Sequence, residues 1–358
     1  MSLIRARVHR RYKAPIVSIV PYLTEFENRM YTQGAILGDA LVAGGGINDV
    51  FYDSQYVFLQ MENYSGNQEP WLTYANKGSQ IYSDWLLGLP TAYNTNGYTR
   101  FPWGFYKSFV THSIASAKTH LVNLSVKGAY ANIAVTSQAN RDLWQQQGYS
   151  RPIAYVLQNL MAAEKVGEAR NTFTVDYCVD TCKYHITEWT TGIYINTAPE
   201  WRFCQAFMAG ITMTALIDYY ERSVELGSPD LTIEPVIKTM CDWLWVNMWV
   251  ADVGGSSPSW TDTGGTGFGA FRYVLFEDQA AADLAGQTVG GPEPAPVLNN
   301  LISNSYAWLF KQGAGTLYRD RADDVFSGNV NLITSFSGGK QFNQSHKEVF
   351  NYLLWRQG

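Results

Sequence analysis

Residues Tyr52 to Leu87 read YDSQYVFLQMENYSGNQEPWLTYANKGSQIYSDWLL. Tyr52, Tyr56, Leu59 and Asn63 recur at helical spacing, with Val57, Phe58 and Met61 beside them. Ser65-Gly66-Asn67 is a polar turn. Pro70 opens a second helix from Trp71 to Leu87, which Gly88 and Pro90 end. Helix, short turn, helix is an αα-hairpin. Asn48 or Asp49 can cap its first helix.

The unit recurs on both sides. Ile153 to Val166 and Thr172 to Trp189 flank Gly167. Phe203 to Glu221 and Pro235 to Val250 flank Gly227-Ser228-Pro229-Asp230, and Leu301 to Lys311 and Tyr318 to Phe326 flank Gly313-Ala314-Gly315. A helix from Tyr22 to Val42 comes first, stopped by Gly44-Gly45-Gly46. Phe105 to Leu124 is a further helix, with a less regular partner between Ala131 and Gln147. Asn343 to Arg356 closes the chain and could pair with the first helix. About 11–12 helices make the expected class all-α. Asn123 to Ser137 is β-branched and Gly-broken, with a small hairpin as the alternative. Two long loops, Ala251 to Ala270 and Ala280 to Pro296, interrupt the pattern, and loops of that length are usually functional or disordered. No boundary reads as a linker. The expected organisation is a single domain over residues 1–358, with residues 1–15 as a flexible N-terminal segment.

Composition narrows the function classes. Among 358 residues, 26 Lys and Arg stand against 31 Asp and Glu, a net charge of −5. Charged residues are 16%, below the ~25% of an average domain. That excludes a disordered polyelectrolyte and argues against broad binding to nucleic-acid phosphate. The surplus is aromatic: Trp 12, Tyr 23 and Phe 17. Cys178, Cys182, Cys204 and Cys241 sit in apolar contexts and read as buried free thiols. No apolar run reaches the ~18–20 residues of a membrane span. The basic start, Met1 to Lys13, has no typical signal-peptide core after it, so no compartment is specified.

The hairpin series, with its Trp- and Tyr-rich helix ends, resembles the (α/α)-toroid families, the six-hairpin glycoside hydrolases and the toroid polysaccharide lyases. Trp201-Arg202-Phe203-Cys204-Gln205-Ala206-Phe207-Met208-Ala209-Gly210, running on to Leu216-Ile217-Asp218-Tyr219-Tyr220, is similar to their mid-chain helix pair. So are Tyr306-Ala307-Trp308-Leu309 and Tyr318-Arg319-Asp320-Arg321-Ala322-Asp323. The resemblance implies an (α/α) toroid of about five to six helical hairpins. It also implies a cleft at one end and a polysaccharide or oligosaccharide as ligand. The irregular repeat, roughly 40–90 residues, fits a ring of hairpins better than a solenoid.

Sugar clefts need aromatic platforms and carboxyl groups. Trp103, Tyr106, Trp189, Trp201, Trp260 and Phe268 lie in or beside expected loops, where a ring could stack on a pyranose; ordinary packing is the alternative for each. Glycosidic hydrolysis uses one protonated and one ionised carboxyl. Asp49, Asp53, Glu188, Glu200 and Asp262 are candidates. Asp49 and Asp53, four apart, would share a helix face, or else serve as a cap and a dipole partner. Elimination in uronic-acid polymers needs a base, and Tyr184, His185 and Glu188 fall within two turns. Glu188 on the same face would raise the His185 imidazole. The candidate catalytic set is Asp49, Asp53, His185, Glu188 and Asp262. The substrate-binding set is Trp103, Trp189, Glu200, Trp201, Trp260, Phe268, Lys340, Asn343 and His346, the last three from an amide-dense run that could instead cap the final helix. By spacing alone, His112 and His120 lie on one expected helix without a paired carboxylate and are set aside. Cys178, Cys182 and His185 line one helix face as zinc ligands could. The lanthionine-cyclase toroid binds zinc through an adjacent Cys-His pair, but here Lys183 and Tyr184 intervene. No metal or cofactor is expected. A glycoside hydrolase is the expected function, with a lyase or a non-catalytic carbohydrate-binding protein as alternatives. No nucleic-acid or membrane partner is expected.

Overall fold

The computed structural model describes residues 19–128, 130, 133, 144–193, 202–254, 265–284, 286 and 293–358. Among them are fifteen α-helices and four two-residue strands, an all-α protein. The helices are α1 Leu23–Gly44, α2 Ile47–Val50, α3 Ser54–Ser65, α4 Trp71–Gly88, α5 Trp103–His112 and α6 Ala115–Val126. Then come α7 Ser150–Lys165, α8 Thr172–Thr191, α9 Ala206–Glu225, α10 Ile233–Asn247 and α11 Gln279–Leu284. The last four are α12 Asn300–Lys311, α13 Thr316–Leu332, α14 Gly339–His346 and α15 Val349–Trp355. The strand pairs are antiparallel, β1 Phe203–Cys204 with β4 Leu275–Phe276 and β2 Trp249–Val250 with β3 Ala270–Phe271.

Local chemistry sets the helix ends. The Asp53 Oδ1 accepts the Tyr56 N–H at 3.2 Å, capping α3. Gly66 ends α3 at φ 71°, its N–H donating to Glu62 O at 3.0 Å. Gly192 ends α8 in the same way.

Two expected long helices are each broken. Phe105 to Leu124 is split between α5 and α6. Ser113 takes a left-handed φ of 59°, its N–H closing on Phe109 O, and His112 Nε2 holds the corner to Glu62 at 2.8 Å. Asn343 to Arg356 is split at Lys347 and Glu348, whose side chains turn inward and are buried. The helix expected from Phe203 begins at Ala206, because Phe203–Cys204 pairs as a strand. The expected loop from Ala280 holds most of α11. Of the span Asn123 to Ser137, Asn123–Val126 belongs to α6 and most of the rest lies outside the described residues.

The four hairpins expected from the sequence pack on themselves, α3 on α4, α7 on α8, α9 on α10 and α12 on α13, and the two halves of the broken helix, α5 and α6, pack on each other. α14 packs against α1. The first helices also meet one another: α3 touches α5, α5 touches α7, α7 touches α9, α9 touches α12, α12 touches α15, and α14 touches α3. One apolar cluster runs through all of them, from Val20 to Trp355. Close approach needs small residues. A Cβ on Gly210 of α9 would stand 2.4 Å from Leu301 O of α12. Amides satisfy the buried backbone: Asn343 Nδ2 donates to Asp49 O and Phe51 O at 2.9 and 2.8 Å, and Asn329 Nδ2 to Pro296 O at 2.9 Å. Among the described residues no helix is long and apolar enough to cross a membrane.

Candidate functional site

A cleft of about 270 Å³ opens where α3, α5, α7, α9 and α15 meet. Helical spacing brings its side chains together. Trp103, Tyr106 and Val110, with Lys107 and Thr111, form one stripe of α5. Asp218 and Glu221, three apart, come from α9; Lys165 ends α7; Glu348, Asn351 and Trp355 come from the start and body of α15; Tyr56 comes from the first turn of α3.

The electrostatics of this cleft are unusual. Burial pushes the Asp218 carboxyl up to about 7, and the charge of Glu348 adds to the rise. Gln158 Nε2 donates to Asp218 Oδ2 at 2.8 Å, and Lys165 and Lys347 pull the other way. Glu348 lies 3.7 Å from the Lys347 ammonium and accepts Asn351 Nδ2 at 3.0 Å. Both charged side chains are nearly inaccessible, 2% and 5% exposed, so the pair is held in a low dielectric. Lys347 also sits 4.9 Å above the Tyr155 ring. Across the cleft, burial lowers the Lys107 ammonium to about 8; it donates to Gln60 Oε1 beside the Tyr56 ring. Glu221 is tied back by Trp308 Nε1 and Lys311 Nζ, each at 2.8 Å. Trp103 and Tyr106 meet edge to face, centroids 5.5 Å apart.

No family model matches the chain, and no curated protein and no solved structure matches it either.

Of the residues singled out in the sequence, Trp103 and Tyr106 line this cleft. Asp53 lies beneath it as a buried clasp: its Oδ2 accepts the Gly104 N–H at 3.0 Å, joining the starts of α3 and α5. Burial raises its carboxyl against the pull of Lys347. Asp49 and Asp53 share no helix face, because Tyr52 at φ 64° breaks the chain between α2 and α3. Asp49 instead accepts the Gly46 N–H at 3.0 Å.

The His185 group is internal. His185 Nε2 meets Trp144 O at 3.1 Å, and burial drives the imidazole down to about 4, the reverse of the expected rise. Glu188 is buried and accepts the Tyr184 hydroxyl. Trp189 is a packing residue whose Nε1 donates to Phe203 O at 3.0 Å. His346 is buried too: its Nδ1 meets Phe342 O at 2.7 Å, and its imidazole falls to about 3. Asn343 is spent on backbone carbonyls, as described above, while Lys340 faces a separate pocket. Phe268 borders a third groove with Tyr22, Trp245 and Trp249. The four cysteines are buried free thiols. Among the described residues no group of three or more His, Cys, Asp or Glu could hold a metal ion. Glu200, Trp201, Trp260 and Asp262 lie outside the described residues.

Asp218, Glu348, Lys107 and Lys347 are absent from the sequence-derived site. One signal did exist for Asp218. It is the first charged residue after twelve uncharged ones, Ala206 to Ile217, on a helix whose neighbours are core.

Proposed function

We propose that the chain is a glycoside hydrolase built as an (α/α) toroid of six hairpins. The succession of contacts from α3 through α5, α7, α9, α12 and α15, with α14 touching α3, supports a closed ring of inner helices. The outer partners would be α4, α6, α8, α10, α13 and α1. The resemblance to toroid glycoside hydrolases and polysaccharide lyases rests on this architecture.

One observation carries the reaction: a carboxyl with a pKa of about 7, Asp218, coupled to a second carboxylate, Glu348, in an aromatic cleft. Asp218 is the general acid. It gives its proton to the glycosidic oxygen as the bond to the anomeric carbon breaks. Water adds its oxygen to that carbon and its proton passes to Glu348, whose charge Lys347 and Asn351 hold in place. Trp103, Tyr106, Tyr56 and Trp355 offer rings for the apolar face of a polysaccharide or oligosaccharide unit.

A panel of polysaccharides, read for new reducing ends and for absorbance of unsaturated uronates, tests this reading. Reducing ends without that absorbance are the expected result. Absorbance would make the protein a lyase. Binding without either product would make it a carbohydrate-binding protein.

A further inference from the structure

At the start of α7, α9 and α14 lies a second pocket of about 390 Å³, lined by none of the residues of the first cleft. Its charged lining is cationic. Arg151 and Lys340 line it, no carboxylate lines it among the described residues, and Glu293 borders only the neighbouring groove. Neither cation makes an ion pair among the described residues. Arg151 is held rigidly, its guanidinium 4.8 Å from the Tyr98 ring centroid and 5.9 Å from that of Phe207. The buried Tyr52 lines the pocket as well. Phe207 and Tyr273 stack at 5.5 Å and form an aromatic wall beside it. α9 and α14 begin here without a side-chain cap, so their positive ends add to the field.

We propose that this pocket binds an acidic sugar unit, a ring carrying one carboxylate, sulfate or phosphate. The anionic group sits between Arg151 and Lys340, and the ring lies on the Phe207–Tyr273 wall. The volume suits a ligand of that size. The site is distinct from Asp218 and does not depend on the hydrolase reading.

Calorimetric titration with glucuronate, glucose 6-phosphate, glucose and inorganic phosphate tests it. At least one acidic sugar should bind about tenfold or more tighter than glucose, the worth of one charge-assisted hydrogen bond. It should also bind more tightly than inorganic phosphate, which lacks the ring. Lys340→Gln, at an exposed position, should weaken acidic-sugar binding about tenfold with unchanged unfolding temperature, and Arg151→Gln should weaken it further. Equal binding of both acidic sugars and glucose, phosphate binding as tightly as the acidic sugars, no binding of either acidic sugar, or full binding by folded Lys340→Gln would each overturn the proposal.

Discussion

Gln158 Nε2 donates to Asp218 Oδ2 at 2.8 Å, and among the described residues this neutral amide is the one hydrogen-bond donor to that carboxyl. A carboxylate is usually held ionised by several donors or a cation in contact. Asp218 has a single uncharged donor, a protein surround and Glu348 as an acidic neighbour, so its proton stays on up to about pH 7.

Activity should therefore fall on the alkaline side with an apparent pKa near 7, because the protonated form does the work. Gln158→Leu removes the donor that favours the ionised form, so the alkaline limb should move to higher pH. A profile flat from pH 6 to 9 would remove Asp218 from the acid role.

The same group gives a stability signature. The folded state holds the Asp218 proton up to about pH 7, whereas in the unfolded chain it leaves near the ordinary 3.8. Between those values unfolding releases a proton, so this residue makes stability fall as pH rises from about 4 to 7. Wild type should lose more unfolding temperature across that window than Asp218→Asn. Parallel curves for the two proteins would show that the carboxyl is not perturbed.

His185 and His346 act in the opposite direction. Their imidazoles are lowered by burial to about 4 and about 3, so the unfolded chain takes up protons first as pH falls below 6.5. Their contribution is complete above 6.5 and is lost on acidification. His185→Ala should cost about 2–4 kcal/mol at pH 7 from the cavity it leaves. The variant should then lose less on going from pH 7 to 4 than wild type does. A His185→Ala protein of normal stability with altered ligand affinity would restore His185 to a binding site.

Gly104 holds α5 against the cap of α3. A Cβ there would stand 2.4 Å from Asp53 Oδ1 and 2.8 Å from Gln55 Cβ. Gly104→Ala should destabilise by about 1–3 kcal/mol, as overpacking does. It should also displace Trp103 and weaken ligand binding at the cleft. Unchanged denaturant midpoints would show that the junction can relax.

The hairpins were readable because their signals are local. The turn at Ser65-Gly66-Asn67 and the stop at Gly88 are set by residues within one turn. The breaks at Ser113 and at Lys347-Glu348 were not readable. Ser113 adopts the left-handed region without being glycine, and Lys347 turns inward toward Tyr155, nearly two hundred positions earlier. Distance in sequence also hid the site. The Asp218 carboxyl is raised by burial and by Glu348 before α15, which is far from it in the chain. Trp103 and Tyr106, which line the cleft, stand out in the sequence because aromatic residues beside an expected loop are visible locally. His185 and Glu188 read well by spacing alone, but spacing says nothing of burial.

The central claim is that Asp218 and Glu348 divide the acid and base roles. Hydrolysis of a natural oligosaccharide should be compared with that of the matching 4-nitrophenyl glycoside, whose leaving group needs no proton. Asp218→Asn should slow the natural substrate by ~10²–10⁴-fold and leave the nitrophenyl glycoside close to wild type. Glu348→Gln should slow both. Equal losses for the two substrates in Asp218→Asn, or full activity in Glu348→Gln, would contradict the account.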